Sequence, residues 1–458
     1  MNPRLEAMKT RVRERLHASH RKAPAMIDES LANSMEWHLW TAHVFKAMCD
    51  EETPVILGDE KIAFTRTLTF VQGIAEPDWV GQKREEGLAV HGVGNITPGW
   101  EDVVNQGLLA RRDVAQASLD ASTDDETRLS MEAAIITIDA VLDLAKRYAD
   151  AARAQGRDDL ADVLDHVPAR APRNFHEALQ SLKFMHSVTW FSSTCHVGLG
   201  RFDQYMLPYY QADLENGTLT KDAAYDLLCE FFISLNKDTD LMPGVQQGDN
   251  GQSMMLGGVK RDGSCAVNDL TWVCMEASED VNMIDPKINL RVNKDTDIEL
   301  LKLAARLTRR GLGFPQFAND DVEIQSLVNY GYDIEDARDY VVAACWEFIV
   351  PGKGIDVPNI NALNFLAAAD TAIRDGLPAG DNFDGILERT RENIFAQVAK
   401  YANHYNRWQI EQPAPWYTVI MDTCLERGTD CNRNGGVKYY NCGIHGSGSA
   451  NGADALAA

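Results

Sequence analysis

YVVAACWEFIVPGKGIDVPNINALNFL, residues Tyr340 to Leu366, is the stretch whose reading decides the fold. It sets Cys345 and Glu347 two residues apart inside an apolar run of Val341, Val342, Ala343, Ala344, Phe348, Ile349 and Val350. Pro351 and Gly352 end the run. Short β-rich apolar runs closed by Pro-Gly read as buried strands, although periodicity alone leaves a short helix open. Side chains alternate along a strand, so Cys345 and Glu347 are expected to face one way while Trp346 packs behind them. A buried carboxyl must find a partner or stay protonated, and such groups are often kept for acid or base chemistry. A buried cysteine, by contrast, is commonly a small hydrophobe.

Composition sets the outer limits. With 458 residues the chain is long enough for a large core, and 45% hydrophobic with 24% charged residues is ordinary for a globular protein. A net charge of −24 argues against nucleic acid or an anionic membrane as partner. No apolar run approaches the length of a membrane span. Nine scattered cysteines, with no paired framework, suit a reducing cytoplasm. The opening MNPRLEAMKTRVRERLHASHRK carries seven Lys/Arg and no apolar core, which reads as a solvated basic helix rather than a secretory signal.

Along the chain, Gly/Pro-rich sequence from Val90 turns helical after Pro98. Asp120 to Gln155 reads as a long amphipathic helix, with Ala134, Ile138, Val141, Leu142, Ala145 and Tyr148 on one face. Further helices are expected over Asn174–Met185, Thr218–Lys237, Asp295–Arg310 (capped by Asp295 or Thr296) and Phe383–Ile410. Short β-like runs lie between them at Met254–Val259, Ile288–Val292, Phe314–Phe317 and Val341–Val350. Helices alternating with short strands predict an α/β architecture, with a barrel as one fitting form.

Metal and nucleotide sites find little support. Cys424, Cys431, Cys442 and His445 are not spaced like structural zinc ligands, so no metal is expected. Gly446, Gly448 and Gly452 do not form GxGxxG and read as a loop that needs close backbone approach. There is no GxSxG elbow. A Cys–His pairing stays open, yet apolar surroundings would push the Cys345 thiol up, the wrong direction for a thiolate nucleophile. A thiol reacting as a neutral radical meets no such penalty.

From about Thr97 onward the chain resembles the glycyl radical enzymes, the pyruvate formate-lyase and diol dehydratase family. The stretches that carry the resemblance are FHEALQSLKFMHS (Phe175–Ser187), GRFDQYMLPYYQADLENGTLT (Gly200–Thr220), MMLGGVKRDGSCAVNDLT (Met254–Thr271), DPKINLRV (Asp285–Val292), GFPQFANDD (Gly313–Asp321) and EDARDYVVAACWE (Glu335–Glu347). The ending GGVKYYNCGIHGSGSANGADALAA is similar to the family's approach to its Ala-Asp-Ser-Leu helix. Their order and spacing together are specific.

The resemblance implies a single domain over residues 1–458, a ten-stranded α/β barrel surrounded by helices. Its N-terminal helical part would cover about 1–165 and its barrel core about 166–458. It implies that Cys345 is the thiyl residue that takes hydrogen from substrate, and that Glu347 of Cys-x-Glu acts as acid or base. Asn95, Cys195 and His196 fall where relatives line the substrate pocket. The implied activity is a lyase of dehydratase or eliminase type on a small polar substrate. An acyltransferase of the formate C-acetyltransferase type, a radical decarboxylase and a silent binding fragment stay as alternatives. Ala344, where pyruvate formate-lyase has a second cysteine, disfavours acyl transfer. Trp346 stands where the middle residue is usually small, and GNITPGW and Cys195–His196 also depart from the family, so no relative's substrate transfers.

No Arg-Val-x-Gly-aromatic loop occurs in these residues. The glycyl radical domain is therefore expected to be missing through truncation, or to come as a separate chain. No bound cofactor is expected. A radical S-adenosylmethionine activating enzyme, a homodimer and anaerobic, cytoplasmic conditions complete what the resemblance implies.

Overall fold

Residues 1–24, 27–69, 76–192, 196–241, 250–405, 408–433 and 435–458 are described by a computed structural model. Among the described residues the strands run in chain order as β1 (Ala89–His91), β2 (Asn95–Ile96), β3 (Ser253–Gly257), β4 (Lys287–Val292), β5 (Gln316–Asn319), β6 (Val341–Ala343), β7 (Glu347–Ile349), β8 (Gly354–Asn364), β9 (Trp408–Glu411) and β10 (Tyr439–Ser447). The α/β organisation is as expected. A closed ring of ten is not what the described residues show, because the strands fall into four small sheets.

The chain forms two compact units, one of Met1–Glu76, Asn95–Ile355 and Pro413–Tyr439, the other of Pro77–Gly94, Asp356–Gln412 and Tyr440–Ala458. The first holds a parallel sheet in the order β3-β4-β5. Its register sets Ser253 beside Lys287, Leu256 beside Leu290 and Leu290 beside Phe317. Each parallel step crosses through a helix, Asp269–Val281 and then Ile298–Thr308, as parallel pairing requires. Parallel bridges from Gly200 to Met254 and from Ile96 to Val197 add two further neighbours. Met254, Leu256, Ile288 and Leu290 are wholly buried, the pattern of strands covered on both faces.

The 125–154 helix starts where the sequence predicts. Asp124 accepts a hydrogen bond from the Thr127 amide at 2.8 Å, and Asp125 and Glu126 lie in the first turn. Ala134, Ile138, Val141, Ala145 and Tyr148 are buried, while Leu142 is only half-buried and Leu144 takes the core position. The Ile298–Thr308 helix is capped by Asp297 rather than Asp295 or Thr296; Thr296 is occupied by the Asn293 amide at 2.8 Å. The basic N-terminal helix, Pro3–Arg13, buries Leu5, Met8, Lys9 and Val12, so it is docked along one face and not fully solvated.

In the second unit β1 pairs with β9 and β10 lies beside β8. The helices Phe365–Ala379, Phe383–Tyr405 and Ser449–Ala457 belong to it. The glycine-rich ending is a strand followed by a helix, not a loop. The close approach read from its glycines is present: a Cβ on Gly446 would lie 2.6 Å from the Phe365 ring.

Candidate active site

The Tyr340–Val350 run is not one buried strand. It folds back on itself as an antiparallel hairpin, with Val341 opposite Ile349, Val342 opposite Phe348 and Ala343 opposite Glu347. Ala344, Cys345 and Trp346 form the three-residue tip. The legs are apolar because they are a core: Tyr340, Val341, Val342, Ala343 and Ile349 are buried together with Met255 and Ala318. Burial of one such side chain contributes roughly 1.5–3 kcal/mol.

Nothing glycine-like makes the turn. Ala344 itself adopts φ +45, a left-handed conformation costing a non-glycine residue about 1–2 kcal/mol. Two pairs of hydrogen bonds offset that strain. Oε2 of Glu347 accepts hydrogen bonds from the amides of Cys345 at 3.0 Å and Trp346 at 3.1 Å. The Ala344 carbonyl accepts from Ser253 Oγ at 3.3 Å and from Lys287 Nζ at 3.2 Å.

Cys345 is therefore exposed at the tip, and Trp346 is 56% exposed instead of packing behind it. Glu347 is half-buried and bound to its own loop, not sunk in an apolar interior. His196 reaches the same place: a Cβ on Gly251 would lie 2.7 Å from the His196 ring and 3.4 Å from the Ala344 Cα. Gly251 has φ +63, so this crossing needs glycine on two counts. Asn95 is buried, and the parallel Ile96–Val197 bridge sets it level with His196 on the neighbouring segment. Cys195 lies outside the described residues.

Below the tip the stem rests on a buried ion pair. Arg291 donates to Asp320 at 2.7 Å and its guanidinium lies 4.2 Å above the Tyr340 ring; the Tyr340 hydroxyl donates to the same Asp320 oxygen at 2.9 Å. At the base, Lys353 donates to Asp336 at 2.6 Å, and Lys438 and the Tyr439 hydroxyl bind the other Asp336 oxygen. Burial alone would raise the Asp336 carboxyl. The hydrogen bonds from Lys353, Lys438 and Tyr439 outweigh it and hold the group down at about 2. Asp339 joins Arg201 at 3.3 Å and Arg261 at 2.7 Å.

A cavity of about 320 Å³ opens beside this base, lined by Trp100, Arg201, Arg261, Asp339, Lys353 and Asp422 among others. Burial, with Asp102 adding repulsion, pushes the Asp422 carboxyl up to about 6. Its Oδ1 is buried without a hydrogen-bond partner among the described residues.

Ser253 and Lys287 were not among the residues singled out from sequence. Their signal is faint but present. Each is a polar residue at the start of a strand, Ser253 just before MMLGGV and Lys287 after the Pro of DPKINLRV.

Residues 82–458 match the family model described as pyruvate formate lyase-like. The trans-4-hydroxy-L-proline dehydratase of Clostridioides difficile is 29% identical over 377 residues, covering 72% of this chain and 46% of the relative. The (2S)-3-sulfopropanediol dehydratase of Klebsiella oxytoca is 27% identical over 422 residues, covering 82% and 51%. The chain thus spans about half the length of the curated relatives it matches. A solved structure for 1,2-propanediol dehydration in Roseburia inulinivorans superposes with a TM-score of 0.83 at 23% identity, covering all of this chain and 70% of that one. No helix among the described residues is long and apolar enough to cross a membrane. With the family model spanning most of its residues and the barrel fold shared with solved members, the chain belongs to the pyruvate formate lyase-like family of glycyl radical enzymes.

Proposed function

We propose that this chain is the barrel part of a glycyl radical lyase of the dehydratase or eliminase type, acting on a small polar substrate. The observation that carries the reading is the hairpin tip. It presents a cysteine and a carboxylate together, the Glu347 oxygen 3.0 Å from the Cys345 amide.

Cys345, as thiyl, takes a hydrogen atom from a substrate carbon, which re-forms the S–H bond and leaves a carbon radical. The leaving group then departs from the neighbouring carbon with a proton. Glu347 gives or takes that proton through its carboxyl oxygens, a role typically worth 10²–10⁴-fold. The product radical recovers hydrogen from Cys345 and regenerates the thiyl. Asn95 and His196, level with each other across the Ile96–Val197 bridge, are substrate contacts in this reading, with Cys195 adjoining in sequence. The radical originates on a glycine in a further segment or a separate radical domain. A radical S-adenosylmethionine enzyme installs it, under anaerobic conditions in the cytoplasm. Two relatives whose names are dehydratases support the reaction class, and Ala344 before Cys345 speaks against acyl transfer.

The test is electron spin resonance on the protein joined to its radical segment and activated, followed by turnover of hydroxyproline, propanediol and sulfopropanediol. A glycyl doublet and turnover that Cys345→Ser abolishes are expected. Turnover that survives Cys345→Ser sinks the mechanism.

A further inference from the structure

We propose that Lys287 and Ser253 are positioning residues which, with Glu347, pin the Ala344–Cys345 peptide bond at both ends and so aim the reactive cysteine. This rests on the reading of Cys345 as the hydrogen-abstracting residue.

The three contacts at the tip converge on one peptide unit. Its carbonyl, that of Ala344, accepts from Ser253 Oγ at 3.3 Å and Lys287 Nζ at 3.2 Å. Its amide, that of Cys345, donates to Glu347 Oε2 at 3.0 Å. A peptide carries a dipole with its positive end at N–H and its negative end at C=O. Here a carboxylate meets the positive end and an ammonium the negative end. Charge and dipole agree at both contacts, and hydrogen bonds to ionised groups are roughly twice as strong as neutral ones.

The two carbonyl donors share one origin. Ser253 and Lys287 are direct partners in the β3–β4 register, so both side chains leave a single rung of the parallel sheet. That rung is fixed from behind. The Lys287 amide donates to the Gln252 carbonyl at 3.0 Å, and the Gln252 side chain donates to Asp285 at 2.9 Å. Asn236 in turn donates to the Asp285 carbonyl at 2.6 Å.

A fixed rung matters because the tip is strained. With Ala344 at φ +45, rotation of the Ala344–Cys345 peptide would relieve a left-handed residue and swing the Cys345 side chain. Hydrogen abstraction needs its reacting atoms about 3–3.5 Å apart, and a displacement of about 1 Å costs on the order of 10²-fold in rate. A chance contact of a half-exposed lysine with a carbonyl would not matter to that geometry. A lysine and a serine from one rung, opposed by Glu347, would.

The test starts with the chain itself, by amide hydrogen exchange read by mass spectrometry. Lys287→Met should speed exchange at Cys345 and Trp346 at least tenfold while β3 and β4 keep their protection, and Lys287→Arg should restore it. Ser253→Ala should do the same more weakly, and decides the matter if Lys287→Met does not fold. In the activated, completed enzyme Lys287→Met should lower kcat tenfold to a hundredfold with KM within twofold. Wild-type exchange at the tip in a folded variant overturns the proposal and leaves the proposed reaction standing. Turnover that survives Cys345→Ser overturns the reaction and leaves the exchange result standing.

Discussion

At the base of the β6–β7 hairpin, Asp336 is held by Lys353, Lys438 and Tyr439, and Asp339 by Arg201 and Arg261. At its tip, a few residues away, Cys345 and Trp346 are exposed, and their backbone amides donate to Glu347. The base and stem are organised by burial and paired charge, which give stability. The tip is organised by polar contacts to one peptide unit, Ala344–Cys345, and carries its cysteine exposed. Substitutions in the two regions should therefore separate stability from activity.

The largest stability effect is expected in the stem. Arg291 is wholly buried, and Asp320 serves it, the Tyr340 hydroxyl and the Val259 amide at 2.9 Å. Asp320→Ala strands a buried guanidinium, so a loss of about 3–5 kcal/mol is expected in urea denaturation. A loss under 1 kcal/mol would mean that the tip does not depend on a firm stem.

Next comes the base. The folded Asp336 carboxyl sits at about 2, below its ordinary 3.8, so its contribution is present above pH 4 and is lost as pH falls through about 2. Asp336→Asn should cost about 1–2 kcal/mol at pH 7, discounted for screening, with the gap closing as pH drops below 4. A gap independent of pH would assign the effect to packing instead.

Asp422 sharpens the comparison from the other side, because it is a base residue whose charge is poorly matched. With its folded value raised to about 6, burial of the charge costs stability above pH 6 and nothing below about 4, where the folded and unfolded forms are both protonated. Asp422→Asn should stabilise by about 1 kcal/mol at pH 7.5 and leave stability at pH 4 unchanged. Thermal unfolding at the two pH values checks it. A loss at pH 7.5 would show that the charge is compensated.

How far the sequence shows this division follows from where the signals lie. The 125–154 helix was legible because Asp124 and a 3.6-residue apolar period are local features. The strand stretches 253–257 and 287–292 were legible as apolar runs. The hairpin was not. Val-Val-Ala-Ala-Cys-Trp-Glu-Phe-Ile-Val has no Gly, Asn or Asp at the turn, and its reversal depends on a strained Ala344 capped by a carboxylate two residues beyond Cys345. Cys345 and Glu347 were legible as a pair through the order of family motifs, yet their exposure was not, since an apolar run looks the same whether it passes through a core or turns back on it. The contacts of Asp336 with Lys438 and of Ala344 with Ser253 and Lys287 join residues far apart in sequence, beyond the reach of any local pattern.

Glu347 gives the smallest stability change and the sharpest separation. Glutamine keeps a carbonyl oxygen that can accept from the Cys345 and Trp346 amides, so Glu347→Gln removes only the added strength of an ionised acceptor at a half-exposed site. Stability should change by about 0.5 kcal/mol or less, and tip exchange should rise only modestly. The same change removes the carboxyl that meets the tip, so kcat of the activated enzyme should fall by about 10²–10⁴ if Glu347 moves the proton. Loss of stability without loss of rate would make Glu347 a cap and nothing more. Loss of rate with the tip still protected would show that one carboxylate both aims the cysteine and serves the leaving group, through the same pair of oxygens.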